Sequence, residues 1–159
     1  MVDIQPLSNL AEAGILALNE AHVRETSHLE PEDYRAMVAG AFYACGVAPA
    51  HAFLIAFDET ADYTSPNFLW FQTRYPSFAY IDRVITAESA RGQGLARALY
   101  EDLFARARTA GKPAVACEVN IDPPNPGSDA FHARMGFAEV GTGVLKNGKL
   151  VRYMVKTLD

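Results

Sequence analysis

Residues 91–96 read Arg-Gly-Gln-Gly-Leu-Ala and stand between an apolar β-type run, residues 79–86 ("AYIDRVIT"), and an alanine- and leucine-rich helical run. The free N–H groups of a helix's first turn, together with the helix dipole, make an anion site. Gly92 and Gly94 let phosphate oxygens approach the backbone with no Cβ in the way, Ala96 keeps that approach open, and Arg91 adds positive charge. The other reading of the same glycines is a tight turn that needs positive φ. The loop lacks the Lys-Ser/Thr of a P-loop, and it comes too late, with the wrong downstream pattern, for a dinucleotide fold. Elsewhere no His, Cys and carboxylate cluster has metal-ligand spacing, so no metal is expected. Cys45 and Cys117 read as reduced, buried thiols of a cytoplasmic protein. Cys117 adjoins Glu118 but points to the opposite sheet face, and His51, alone in an apolar strand, reads as a core histidine.

The chain that must position this loop has 159 residues, half of them hydrophobic, with a formal net charge of −5. That suits one domain, residues 1–159, with one well-packed core, and it argues against a nucleic-acid partner. The N-terminal residues show no basic and apolar signal-peptide pattern. Residues 36–57 carry no formal charge over a length that could span a bilayer. Gly46 and Pro49 break the run and His51 lies inside it, so it reads as a helix end, a turn and a buried strand rather than a membrane span.

The predicted order is β-α-α-β-β-β-α-β-α-β-β, an α/β (α+β) mixed sheet with helices packed on it. A short strand at "DIQPL" precedes a helix capped by Ser8 or Asn9. Pro31 starts a second helix over residues 31–45, which Gly46 ends. Residues 50–58, 67–76 and 77–87 read as three strands rich in apolar, aromatic and β-branched residues. A long helix runs from Gln93 to about Ala110, followed by a strand at "PAVACEVNI" and a short helix capped by Ser128. Asn147-Gly148 turns a closing hairpin whose strands offer an edge for a homodimer.

Arg91 to Ala96 closely resembles the Arg/Gln-x-x-Gly-x-Gly/Ala acyl-CoA loop of the GNAT superfamily of N-acetyltransferases. The strand "DRVITAES" resembles that family's lead-in, and "NPGSDAFHARMGF" resembles its second signature, Asn-x-x-(Ala/Ser)-x-x-(Phe/Leu)-Tyr-x-x-x-Gly-Phe. The resemblance covers essentially the whole chain. It implies a mostly antiparallel sheet with one parallel strand pair, acetyl-CoA as cosubstrate, and a primary amine of a small molecule or a protein as acceptor. It implies that the pantetheine arm lies along Val84, Ile85 and Thr86, with the Ile85 N–H polarising the thioester carbonyl. The pyrophosphate would sit on Arg91, Gly92, Gln93, Gly94, Leu95, Ala96 and Arg97, and Asn125 would contact the coenzyme arm.

Two further positions follow from the resemblance. His132 stands where the family has the tyrosine that protonates the leaving thiolate; an imidazolium can do this, or the ring only packs beside the coenzyme. Glu118 matches a glutamate that takes the amine proton in some members, or it faces solvent on its strand. Acceptor recognition would fall to Asn19, His22 and Glu25 in the first helical region and to the aromatic residues Trp70 and Tyr80. A sensor that binds acyl-CoA without turnover is the alternative to an enzyme.

Overall fold

The structure is a computed structural model and describes residues 1–23 and 26–159. The strands are β1 (Ile4–Pro6), β2 (Tyr43–Val47), β3 (Ala52–Asp58), β4 (Ala79–Thr86), β5 (Ala114–Asp122), β6 (Ala138–Val144) and β7 (Leu150–Thr157). The helices are α1 (Glu12–Ala21), α2 (Pro31–Gly40), α3 (Pro66–Gln72), α4 (Leu95–Thr109) and α5 (Pro126–Arg134). The strands form one sheet in the order β1-β2-β3-β4-β5-β7-β6. Among the described residues only β4 and β5 pair in parallel; the other neighbours are antiparallel. This is the mixed, mostly antiparallel architecture that the resemblance implies.

The chain alternates its side chains between two cores, one on each sheet face. Leu54, Ala56, Ile81, Val115 and Cys117 pack against Leu99, Tyr100 and Leu103 of α4. Phe53, Ile55, Phe57 and Tyr80 pack with Ile15 of α1, Tyr34 of α2, and Phe68 and Phe71 of α3. Cys45 and Cys117 are both buried free thiols.

Two elements differ from their sequence reading. Residues 43–47 form strand β2, not the end of the second helix. The alanine-rich run hid a period of two: Tyr43 and Cys45 point into the α4-side core while Ala44 points into the other. The Tyr43 hydroxyl also donates to Asp102 of α4 at 2.8 Å. Residues 67–72 belong to helix α3, not to a strand. Pro66 sits in its first turn, and Phe68 and Phe71, three apart, are both fully buried. Each such side chain gains on the order of 2–3 kcal/mol from burial, more than strand propensity can offset.

Smaller corrections concern termini and one histidine. Ser8 and Asn9 fall in a 3-10 turn, and α1 begins at Glu12. Helix α4 begins at Leu95 rather than Gln93. Asn125, not Ser128, caps α5, its side chain accepting from the Ser128 N–H at 3.2 Å. His51 is exposed in the turn before β3. Among the described residues no helix is long and apolar enough to cross a membrane.

Candidate active site

The site originates in one irregularity and one divergence of the sheet. Opposite β3, Ile81 pairs with Ala56 and Arg83 with Ile55, so Asp82 is an extra residue in β4, a β-bulge. The bulge brings Asp82 and Arg83 into contact, with Arg83 Nε donating to Asp82 Oδ2 at 2.8 Å. Next, β4 and β5 pair only at Ala79↔Val115 and Tyr80↔Ala116. Beyond those pairs a cavity of ≈ 470 Å³ lies between residues 81–86 and residues 117–120, with Tyr100 of α4 and His132 of α5 in its wall.

The ladder determines which backbone groups face this cavity. The Ala87 N–H donates to the His51 carbonyl at 2.8 Å. Strand alternation then turns the N–H of Ile85, which pairs with Phe53, toward β3 as well. The N–H groups of Val84 and Thr86 point into the gap. The Ile85 N–H, expected to face the thioester, therefore points to β3 instead, and the Ile85 side chain is buried in the α1-side core.

A second cavity, of ≈ 980 Å³, continues from the first through Thr86 and Arg91 and runs over Gly92, Gly94, Leu95, Ala96 and Arg97. Gly92 and Gly94 have φ of 81° and 73°, and a Cβ at either would meet open space. Gly94 is the left-handed N-cap residue of α4, and no side chain caps the helix among the described residues. The first intrahelical bond runs from Ala98 to the Gly94 carbonyl at 3.0 Å, leaving the N–H groups of Leu95, Ala96 and Arg97 for a ligand. Gln93 is exposed between the two glycines. Arg91 lines both cavities, and Arg97 lines the second while its Nε pairs with Glu101 at 2.8 Å. Arg134 of α5 adds a cation that the sequence reading passed over.

A third cavity, of ≈ 210 Å³, opens from the first on the α1 and α3 side, past Asp82, Arg83 and Glu118. Glu118 stands where the two meet. Its Oε2 accepts from the Tyr80 hydroxyl at 2.8 Å. Burial, reinforced by the Asp82 charge, pushes the Glu118 carboxyl up to about 7 despite the bonds from Tyr80 and Asn67. Asn67 in turn accepts from the Tyr153 hydroxyl at 3.0 Å. Neither residue is a candidate in the sequence: Asn67 lies on a helix whose sequence reads as a strand, and Tyr153 comes from β7, far from the rest of the site in the chain. The Tyr63 hydroxyl, equally unforeseen, donates to Asp82.

The expected acceptor residues divide. Tyr80 lines the third cavity and His22 the first. Asn19 is 1% exposed; it accepts from Arg83 Nη1 at 2.8 Å and donates to the Ser27 carbonyl at 2.8 Å, so it props the rim rather than contacting a ligand. Trp70 lies away from the three cavities, stacked on Tyr153 with ring centroids 4.2 Å apart. Glu25 lies outside the described residues. Asn125 lines the first cavity while its side-chain oxygen caps α5. His132 Nδ1 pairs with the Ser128 carbonyl at 2.8 Å, and its Nε2 with the Tyr100 hydroxyl at 2.8 Å. Burial lowers the proton affinity of this imidazole. Among the described residues no group of three His, Cys, Asp or Glu could hold a metal ion.

An anion cradle at a helix start, a split parallel strand pair and a carboxylate at the far end of the split describe an acyltransferase site. The model of the acetyltransferase (GNAT) family matches residues 16–137, and the chain belongs to that family. No curated protein sequence matches it. Among solved structures it is similar to the ribosomal-protein-S18-alanine N-acetyltransferase of Escherichia coli, at 15% identity and a TM-score of 0.72 over 100% of this chain and 95% of that one. It is also similar to Chaetomium thermophilum Naa20 in complex with a bisubstrate analogue, at 20% identity and a TM-score of 0.73 over 99% of this chain and 87% of that one. Arabidopsis thaliana NAA60 in complex with acetyl-CoA resembles it at 16% identity and a TM-score of 0.73 over 99% of this chain and 100% of that one. At such identities the likeness shows the fold.

Proposed function

We propose that this acetyltransferase moves an acetyl group from acetyl-CoA to a primary amine by direct attack of the amine on the thioester. One observation carries the reading: the cavity between β4 and β5 reaches Glu118 at one end and at the other shares Thr86 and Arg91 with the cavity over the glycine loop. Acetyl-CoA supplies the activated acyl group. The N–H groups of Leu95, Ala96 and Arg97, with the charges of Arg91 and Arg134, suit its pyrophosphate. Thr86 and Val84 offer strand-like hydrogen bonds to an extended arm, and the Val84 N–H is placed to polarise a carbonyl.

Glu118 receives the proton that the amine must lose. A carboxylate that titrates near 7 is a useful base at neutral pH and is regenerated easily. Tyr80 and Asn67 keep it aimed at the junction of the two cavities. His132 and Tyr100 close the opposite wall, on the side of the leaving group. The acceptor amine enters through the third cavity, past the hydrogen-bonded pair Tyr63 and Asp82.

The test is a thermal melt with acetyl-CoA, CoA and longer acyl-CoAs, followed by an amine screen read as free-thiol release. Acetyl-CoA at about 100 times its dissociation constant stabilises the protein by about 2.7 kcal/mol. No rise in melting temperature with any CoA at saturation would defeat the assignment. A rise without thiol release to any amine would leave the acyl-CoA sensor instead.

A further inference from the structure

The strongest unassigned group in the site is the Tyr100 hydroxyl, and its reading rests on the acetyltransferase assignment above. When a thioester carbon–sulfur bond breaks, the electron pair goes to sulfur, and the anion needs a hydrogen-bond donor as it forms. On the α4–α5 side the cavity wall offers Tyr100, His132, Ser128 and Asn125. The Ser128 hydroxyl is held 3.2 Å from His132 Nδ1 and the Asn125 side-chain oxygen caps α5, which leaves His132 and Tyr100 as the candidates for the sulfur. The His132 Nδ1–H donates to the Ser128 carbonyl at 2.8 Å. That bond selects the tautomer whose Nε2 carries a lone pair, and Nε2 accepts the Tyr100 O–H at 2.8 Å. An imidazole held this way has no proton at Nε2 to give. Burial disfavours its protonated form, only partly offset by the Ser128 bond and the Asp129 charge.

Tyr100 has the opposite character. Its ring comes from α4 and is set edge-on against Phe104, Phe131 and Phe137 at centroid distances of 6.1, 5.0 and 6.0 Å. Burial, with Cys117 and Glu118 nearby, holds its hydroxyl far above the usual phenol range, so it stays protonated. It can donate a hydrogen bond at any working pH without ionising.

We propose that the Tyr100 hydroxyl donates the hydrogen bond that stabilises the departing sulfur, and that His132 is the positioning residue that holds the hydroxyl at the cavity wall until then. As the C–S bond breaks, the pair passes to sulfur and the Tyr100 hydroxyl turns from the neutral Nε2 to the anionic sulfur. The tyrosine O–H bond stays intact. The amine proton goes to Glu118, and the released thiolate takes its proton from solvent.

The experiment uses the whole chain as wild type, Tyr100→Phe, His132→Gln and His132→Phe. The acidity of the thiol in bound CoA is followed by the ultraviolet absorbance of the thiolate against pH, and acetyl transfer is measured in parallel. Tyr100→Phe makes the bound thiol about tenfold less acid, about one pKa unit. It lowers kcat about a hundredfold with the KM for acetyl-CoA unchanged. The amide oxygen of His132→Gln can still accept from Tyr100 but brings no titrating proton. This variant keeps the low thiol pKa and loses less than about tenfold in kcat, while His132→Phe loses more. The proposal is overturned if Tyr100→Phe leaves the bound thiol as acid as in wild type. It is also overturned if His132→Gln falls as far as His132→Phe, which would make the imidazole the donor. CoA that binds with unmoved acidity in Tyr100→Phe removes this inference alone. CoA that does not bind wild type removes the acetyltransferase reading and this inference with it.

Discussion

Replacing Glu118 by Gln should make the protein inactive and, at alkaline pH, more stable. In the folded chain burial raises this carboxyl from 4.5 to about 7. Between those values native Glu118 is protonated while the unfolded residue is ionised, so the native state binds the extra proton. Stability therefore falls as pH rises through this window, and the cost is fully present above about 7. At about 1.4 kcal/mol per pKa unit the ceiling is about 3.5 kcal/mol. Because the carboxylate borders a cavity open to solvent, screening reduces this to about 1–2 kcal/mol. Gln keeps an acceptor for the Tyr80 hydroxyl and carries no charge to desolvate. The variant should melt about 2–8 °C above wild type at pH 8 and level with it at pH 4, at about 2–4 °C per kcal/mol for a chain of this size. Its acetyl transfer should fall by about 10²–10⁴-fold. Paired thermal melts at the two pH values, at constant ionic strength, make the measurement. A stability difference that does not change with pH would refute the burial argument, and retained activity would refute the base.

Two further substitutions probe the coenzyme side. Gly94→Ala places a side chain at φ 73°, where nothing crowds its Cβ. The strain alone should cost about 1 kcal/mol or slightly more in unfolding experiments and weaken CoA binding by displacing the first turn of α4; a variant as stable and as tight as wild type would contradict it. Asn125→Ala removes the α5 cap, at about 1 kcal/mol, whereas Asn125→Asp, which still accepts from the Ser128 N–H, should recover the melting temperature. A CoA affinity that stays low in the Asp variant would assign Asn125 a ligand contact besides its cap.

The coenzyme side of the site was legible from local sequence because backbone chemistry within one short segment produces it. Gly92, Gly94 and the start of α4 need no distant partner to present free N–H groups, and Glu118 became a candidate through the family resemblance of its strand. The Asn147-Gly148 turn announced the closing hairpin in the same way. Strand β2 and helix α3 were misread because alanine and aromatic residues suit either conformation when buried. The choice fell to which neighbours they fill: α4 against Tyr43 and Cys45, and the aromatic core against Phe68 and Phe71.

Sequence alone determined the family signatures, the class of sheet and the candidates Glu118 and His132. Tertiary structure alone decided that the Val84 rather than the Ile85 N–H faces the gap, since strand pairing sets the direction of each backbone group. It also decided that Asn19 and Arg83 brace the rim, that Trp70 lies away from the cavities, and that Tyr100, 32 positions before His132, meets it at 2.8 Å. Such contacts join residues from separate elements, and no local pattern encodes the packing that brings them together.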